Sequence, residues 1–316
     1  MPVRESAFDT VLGHSRGLQQ VIQLARKVAV TDVPVLLTGE TGTGKEVFAQ
    51  AIHNGSARAK QPFVAINCSA FSKELLESEI FGHKAGAFTG ALKDKKGLFE
   101  EANHGTIFLD EIGEMAYGLQ AKLLRVLETG EYIKVGDTKP TKIDVRIVSA
   151  TNRNLKEEIA NSNFREDLYF RLSVFHLHLP PLRERREDIP ELAAAFLKFF
   201  AAKMGKQVKG FAADCQAWMQ SYAWPGNVRE LRNVIERALI ICDDYITLDD
   251  MPLDFRSSTL SGSAADGDDF ELAEAEHRHI QRVLQYTKGN KAEAARLLKI
   301  GLTTLYRKIE EYGINI

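Results

Sequence analysis

The chain has 316 residues, 44% hydrophobic and 27% charged, with a formal net charge of −2, the composition of an ordinary globular protein of two or three domains. Three scattered cysteines, Cys68, Cys215 and Cys242, without CxxC spacing, exclude a disulfide framework or a zinc site and imply a reducing compartment. The N-terminus has no apolar signal segment and no run of about 18 apolar residues occurs, so the expectation is a cytoplasmic protein without a membrane partner.

From about Leu12 to Pro181, short apolar strands alternate with amphipathic helices, the pattern of an α/β domain whose parallel sheet is covered on both faces. The first strand, Val33–Leu37, runs into a glycine-rich stretch, and the helix Lys45–His53 follows. Between strand and helix, Gly39, Glu40, Thr41, Gly42, Thr43, Gly44 and Lys45 match G-x-x-x-x-G-K. Such a loop curls so that backbone N–H groups and the helix N-terminus face phosphates, while the lysine supplies charge to the β- and γ-phosphates. A glycine-rich turn that binds nothing is the bland alternative, and it does not account for this setting. The next residue is ordinarily Ser or Thr, whose hydroxyl ligates Mg²⁺, but Glu46 stands here.

The second strand, Phe63–Ile66, closes on Asn67. Farther on, Gly86, Ala87, Phe88, Thr89, Gly90 and Ala91 bracket an aromatic with two glycines. A phenylalanine in that setting commonly tucks into its own core; at the tip of a hinged loop it needs a partner to bury it. The strand Thr106–Leu109 ends in Asp110 and Glu111. A central strand can set Asp110 beside Mg²⁺ and Glu111 where it polarises an attacking water, although paired acids also cap strands. After the helix Leu119–Leu127, the strand Val145–Ala150 closes on Thr151 and Asn152. Ligands of open α/β sheets bind beyond the carboxyl ends of strands. Asn67, Thr151 and Asn152 are therefore either groups that reach a γ-phosphate and its water or plain strand-end turn residues.

Arg165 and Arg171 follow, six residues apart, and Arg229 lies at the start of a helix farther on. An arginine that enters a phosphoryl-transfer site neutralises transition-state charge and can come from a neighbouring subunit. Surface ion pairing is the commoner use, and spacing leaves both open. Pro180 and Pro181 end the alternation, and Arg183–Asp250 reads as helices only, with Ile189–Phe200 and Val228–Ile241 clearest. Arg256–Asp269, rich in Ser, Gly and Asp, reads as a linker. No internal repeat occurs.

Residues 270–316 carry eight Lys+Arg against six Asp+Glu, while the rest of the chain carries 33 against 37, so the tail is the basic part. Ile280–Leu284, Ala292–Leu298 and Thr304–Ile309 give three short helices, the last two forming a helix–turn–helix about Lys299–Leu302 with Gly301 serving the turn. Ala294 and Ala295 allow a close crossing, and Leu305 and Ile309 face inward. Thr303, Thr304, Tyr306, Arg307 and Lys308 are left for base edges and phosphates. A small helical dimerisation bundle is the alternative.

Gly86–Ala91 and the run from Gly39 to Glu46 carry a family resemblance that spans nearly all of Leu12–Ile316. The chain resembles the bacterial sigma-54-dependent transcription activators, AAA+ ATPases also called enhancer-binding proteins. The resemblance makes Glu46 the usual residue at its position. It implies that Asp110 and Glu111 bind Mg²⁺ and activate water, and that Asn67 holds Glu111 inactive until the γ-phosphate is sensed. It places Thr151 and Asn152 in the sensor I region and Arg229 at sensor II in a helical lid. Arg165 and Arg171 become arginine fingers across a subunit boundary, so hydrolysis requires a ring, typically a hexamer, and the expected homo-oligomer ranges from dimer to hexamer. Phe88 and Thr89 become the contact with sigma-54, assisted by a second loop around Tyr132–Pro140 that bears Gly136.

The tail resembles Fis-type modules, which bind palindromic enhancer DNA as dimers. The implied architecture is an extension (1–11), an AAA+ P-loop α/β subdomain (12–183), an all-helical lid (184–255), a linker (256–269) and a helix-turn-helix module (270–316). Only about ten residues precede the ATPase, where family members carry a sensory domain. That implies regulation by a separate protein or a shortened chain. The leading expectation is an ATP- and Mg²⁺-dependent activator of sigma-54 RNA polymerase. The runner-up, a general AAA+ protein-remodelling ATPase, gives no reason for the Phe88 loop or the tail.

Overall fold

In the computed structural model, which describes residues 5–252, 272–287 and 289–314, the α/β part opens with α1 (Arg16–Ala29), β1 (Val35–Thr38), α2 (Lys45–Asn54) and β2 (Phe63–Asn67). It continues through α3 (Lys73–Phe81), α4 (Leu98–Glu101), β3 (Thr106–Asp110) and α5 (Tyr117–Thr129). Then come β4 (Glu131–Ile133), β5 (Pro140–Lys142), β6 (Arg146–Thr151), α6 (Leu155–Ala160), α7 (Glu166–Leu172) and β7 (Phe175–His178). Five of the strands pair in parallel in the order β2–β3–β6–β1–β7.

Successive residues of each strand point to opposite faces of the sheet. Leu36, Ile107, Leu109 and Ile147 meet Leu123 of α5 and Leu168 of α7 on one face. Val35, Leu37, Phe108, Val148 and Ala150 meet Leu18 and Ile22 of α1 and Phe48 and Ile52 of α2 on the other. Both faces are covered, which is why these strands read as unbroken apolar runs. Arg146, buried at the foot of β6, donates to the carbonyls of Val28 (2.8 Å) and Ala29 (2.7 Å) in the last turn of α1, where the helix dipole favours a cation. Burial pushes its guanidinium down to about 10.

Two strand features have no counterpart in the linear pattern. The edge strand β7 alternates exposed His176 and His178 with apolar neighbours over only four residues, too short for a period to declare itself. β4 and β5 form a separate antiparallel pair. The segment after Pro181 contains α8 (Ile189–Met204), α9 (Ala213–Ser221) and α10 (Asn227–Ile241) around Phe200, Trp218, Trp224, Leu231 and Ile235. It is not helices only: Gly210–Phe211 pairs in parallel with Tyr245–Ile246, joining the segments that follow α8 and α10. Two-residue strands carry no periodic signal.

The chain forms two compact units, Met1–Arg256 and Ser257–Ile316. The stretch Arg256–Asp269, expected as a linker, lies outside the described residues. In the second unit, helices Leu272–Tyr286, Lys291–Leu297 and Leu302–Glu311 pack around Ile280, Leu284, Ala294, Ala295 and Leu305. Leu302 opens the last helix instead of belonging to the turn. Gly301 has ordinary extended angles as its N-cap, and Lys299 is the residue that adopts positive φ (54°).

One buried carboxylate joins the N-terminal segment to the helical subdomain. Asp188, fully buried, accepts from His14 N (2.7 Å), Ser15 N (2.8 Å) and Ser15 Oγ (2.6 Å). Asp188→Ala leaves these donors without an acceptor. It should lower unfolding free energy by about 2–4 kcal/mol, read as a fall in urea midpoint; an unchanged midpoint would show that the junction does not depend on the carboxylate.

Candidate functional site

β1 is bordered by β6 and β7, yet the chain leaves β1 for β2 at the far edge of the sheet. A crevice opens at such a reversal, beyond the carboxyl ends of the strands, and Gly39–Lys45 lies there. The Lys45 side chain is buried; its Nζ donates to Gly39 O (2.8 Å) and Glu40 O (3.3 Å) and stands 4.0 Å from Glu111 Oε1. Burial lowers its affinity for a proton, and the charges of Glu111 and Asp110 oppose that shift. Thr43 is buried too, its hydroxyl closing the loop onto Glu40 O at 2.8 Å.

Lys45, Glu46, Asp110, Glu111, Arg229 and Arg232 line a cleft of 250 Å³ with Gly42 and Gly44 of the loop. Asp110 ends β3, and its Oδ1 accepts from Glu111 N at 3.0 Å. Glu111 has φ 50°, a conformation few non-glycine residues adopt, which turns its side chain off the strand direction. Asn152 N donates to Glu111 Oε2 (3.3 Å), and Asn152 Nδ2 donates to Thr41 Oγ1 (3.1 Å). The donor set fits a magnesium nucleotide: a buried ammonium, the open N–H groups of the first turn of α2, and a carboxylate facing them. Among the described residues no cluster of three metal-ligating side chains occurs.

The structure removes some expected members from the cleft. Thr151 is fully buried, its hydroxyl accepting from Arg153 N at 3.1 Å, because it still belongs to β6 and follows the pleat into the core. Asn67 does not hold Glu111; its Oδ1 accepts from Ser69 N (2.8 Å) and Ser69 Oγ (2.7 Å) and caps the turn after β2. Glu40 turns its carboxylate away from the phosphate position. It accepts two bonds from Arg183 (2.5 and 2.7 Å) and one from Asn227 Nδ2 (3.1 Å). Arg165 pairs with Asp167 at 2.6 Å and lies over the Tyr117 ring, and Arg171 is exposed on α7. Neither lines the Lys45 cleft. Asn227, Arg183 and Arg185, which bind the loop from outside, carried no motif that would have exposed them.

The Gly86–Ala91 loop stands on firm feet. Lys84 N donates to Val135 O (2.9 Å), Lys84 pairs with Asp94 (2.7 Å), and His83 exchanges backbone bonds with Lys95. Gly86 (φ 82°) and Gly90 (φ 103°) have open space where a Cβ would sit. Phe88 is 43% exposed and meets the edge of His83, 5.0 Å between centroids, so it neither joins the core nor stands clear of the protein. The second loop touches the first: a Cβ on Gly136 would fall 2.6 Å from Ala87 Cβ.

In the tail, Thr303, Tyr306 and Arg307 are exposed and Thr304 partly so. Lys308 is not: its Nζ donates to Glu276 (2.7 Å) and Tyr312 Oη (3.2 Å), a pairing with the first helix that no local pattern announces.

Residues 11–178 match the family model described as the sigma-54 interaction domain, 183–267 the AAA+ ATPase lid domain, and 271–312 the bacterial regulatory protein, Fis family. The alginate biosynthesis transcriptional regulatory protein AlgB of Pseudomonas aeruginosa is 47% identical over 307 residues, covering 97% of this chain and 68% of AlgB. The DNA-binding transcriptional regulator NtrC of Escherichia coli is 41% identical over 330 residues, covering 96% of this chain and 70% of NtrC. The crystal structure of NtrX from Brucella abortus in complex with ATP superposes with a TM-score of 0.74 at 36% identity, over 96% of this chain and 70% of that one.

Arg183 and the Asn227 amide hold the Glu40 carboxyl down at about 2. A depressed carboxylate contributes stability that is complete above its unfolded value, near 4.5, and is lost as pH falls toward 2. Because both side chains are exposed, solvent screening keeps that contribution small. Arg183→Ala should move the Glu40 titration upward, toward the ordinary carboxylate range, in a side-chain NMR titration; an unmoved midpoint would rule out the guanidinium as the cause.

Proposed function

The chain belongs to the sigma-54-dependent transcription activators, and on that premise we propose that it converts ATP hydrolysis, in a ring of its own copies, into movement of Phe88 against RNA polymerase carrying sigma-54. It is an AAA+ ATPase and an ATP-dependent activator. One observation carries the mechanical reading. A phosphate cleft and a half-exposed aromatic between two unconstrained glycines belong to the same α/β domain, and one turn and one helix separate the end of β2 from the loop's foot at Gly82.

Mg²⁺, when bound with ATP, supplies positive charge beside the β- and γ-phosphates, and Asp110 would hold it. Lys45 presents a fixed, partly desolvated ammonium to the phosphates. Glu111, with its carboxylate steadied by the Asn152 N–H, accepts a proton from the attacking water. Arg229 adds charge from the helical side of the cleft. Arg165 and Arg171 serve the cleft of a neighbouring copy, which is why a ring, a hexamer in our reading, is required.

The tail binds enhancer DNA in the cytoplasm through Thr303, Thr304, Tyr306 and Arg307. Two copies would set their recognition helices about 34 Å apart in successive major grooves. Lys308 steadies the module through Glu276.

Phe88→Ala should leave ATP turnover within about 2-fold and abolish open-complex formation at a sigma-54 promoter. A variant that still opens the promoter would refute the Phe88 contact, and a wild-type chain that opens it without hydrolysable ATP would refute the mechanism. In the tail, Arg307→Ala should weaken enhancer binding and reduce the salt slope by about 1. Binding isotherms across a salt series test this, and an unchanged slope would remove Arg307 from the phosphate contacts.

A further inference from the structure

The glutamate of the phosphate loop faces away from the Lys45 cleft and is bonded on its outer side. A loop built to hold a polyanion gains nothing from a carboxylate near the phosphates, and Glu40 avoids that repulsion by reaching outward. Its two oxygens take a bidentate pair of bonds from Arg183, at 2.5 and 2.7 Å, in the segment that leaves the sheet. Oε2 also accepts from Asn227 Nδ2 at 3.1 Å. Asn227 is the first residue of α10, fully buried and held at φ 54°. The same Nδ2 reaches Thr41 O (3.0 Å), and Asn227 Oδ1 accepts from Leu182 N at 2.7 Å. Val228 N then donates to Gly42 O at 3.0 Å. Two residues beyond Asn227, Arg229 lines the cleft with Lys45 and Asp110, and its Cβ lies 3.1 Å from where a Cβ on Gly42 would be.

We infer that Glu40 is a positioning residue: through Arg183 and Asn227 it latches the start of α10 to the phosphate loop, and so fixes Arg229 at the phosphates. A left-handed, non-glycine start to a helix is strained and persists only where its surroundings hold it. The Glu40–Asn227–Leu182 chain of bonds is what holds it here. Arg183 keeps the carboxylate charged and aimed, as a bidentate guanidinium does. Breaking the latch leaves the sheet-side wall of the cleft, Lys45, Asp110 and Glu111, in place but lets α10 and Arg229 draw away from it. The inference rests on the nucleotide-binding reading above and names how that site is kept assembled.

The test is the dissociation constant of a fluorescent ATP analogue with Mg²⁺, measured on the full chain for Glu40→Gln, Arg183→Ala, Arg229→Ala and the double variant Glu40→Gln/Arg229→Ala. Glu40→Gln and Arg183→Ala should each weaken binding by about 5- to 10-fold with the thermal midpoint nearly unchanged. Arg183→Lys, which keeps a cation, should restore part of the loss. Glu40→Gln should add nothing once Arg229 is gone, because its effect is transmitted through that arginine. Unchanged affinity in the single variants, or the same fold-loss from Glu40→Gln in the Arg229→Ala background as in the wild type, overturns the latch. Binding does not require turnover. A wild-type chain that binds the analogue but hydrolyses no ATP would refute the ATPase mechanism while leaving this coupling measured.

Discussion

Three successive carbonyls of the phosphate loop are taken by donors from the helical side of the domain. Thr41 O accepts from Asn227 Nδ2, Gly42 O from Val228 N, and Thr43 O from Arg185 Nη2 at 2.9 Å. The C=O and N–H of a peptide unit point in opposite directions, so carbonyls turned toward one wall leave amides for the other. A loop with three glycines would otherwise sample many backbone states, and the conformational entropy of ordering it would fall on ligand binding. With its acceptors already committed, the loop is shaped before any phosphate arrives. The helical subdomain is thus part of the phosphate site. A Cβ at Gly42 would lie 2.3 Å from Gly226 O, so the closeness of the two walls is itself a constraint on sequence.

The sheet supplies the opposite wall. Asp110 and Asn67 are register partners at the ends of β3 and β2, while β6 carries Asn152 to the same edge. From Asn67 the chain makes one capped turn, runs through α3, and reaches Gly82 and the base of the Phe88 loop without a flexible spacer. The aromatic cluster of Phe81, Phe99 and Tyr132 ties the end of α3 to β4, and with it to the second loop. Close-packed interiors transmit displacement instead of absorbing it. The cleft and the exposed aromatic are therefore ends of one packed body.

Motifs whose meaning lies in consecutive residues were legible in the chain. The strand–glycine loop–helix order around Lys45, the apolar run into Asp110 and Glu111, and the bracketed Phe88 each need only local geometry. The departures share one cause. Thr151 and Asn152 are neighbours in sequence, but one ends a strand and follows its pleat into the core while the other begins the turn and bonds to Glu111 and Thr41. Asn67 had a local use, capping its own turn, that outcompetes a bond across the sheet edge in this state. Lys308 sits on the outer side of its helix by spacing alone, yet Glu276 lies 32 residues away and draws it in.

The order of residues by itself determined the covered parallel sheet, the phosphate loop and the helix–turn–helix tail. Periodicity, glycine placement and strand-end acids are written in stretches shorter than about 20 residues. Only the tertiary structure decided what Glu40 does. Its partners Arg183 and Asn227 stand 143 and 187 residues away, and nothing in its immediate neighbours distinguishes a carboxylate near phosphates from one turned outward. That choice is made by two donors which the fold alone brings within bonding distance.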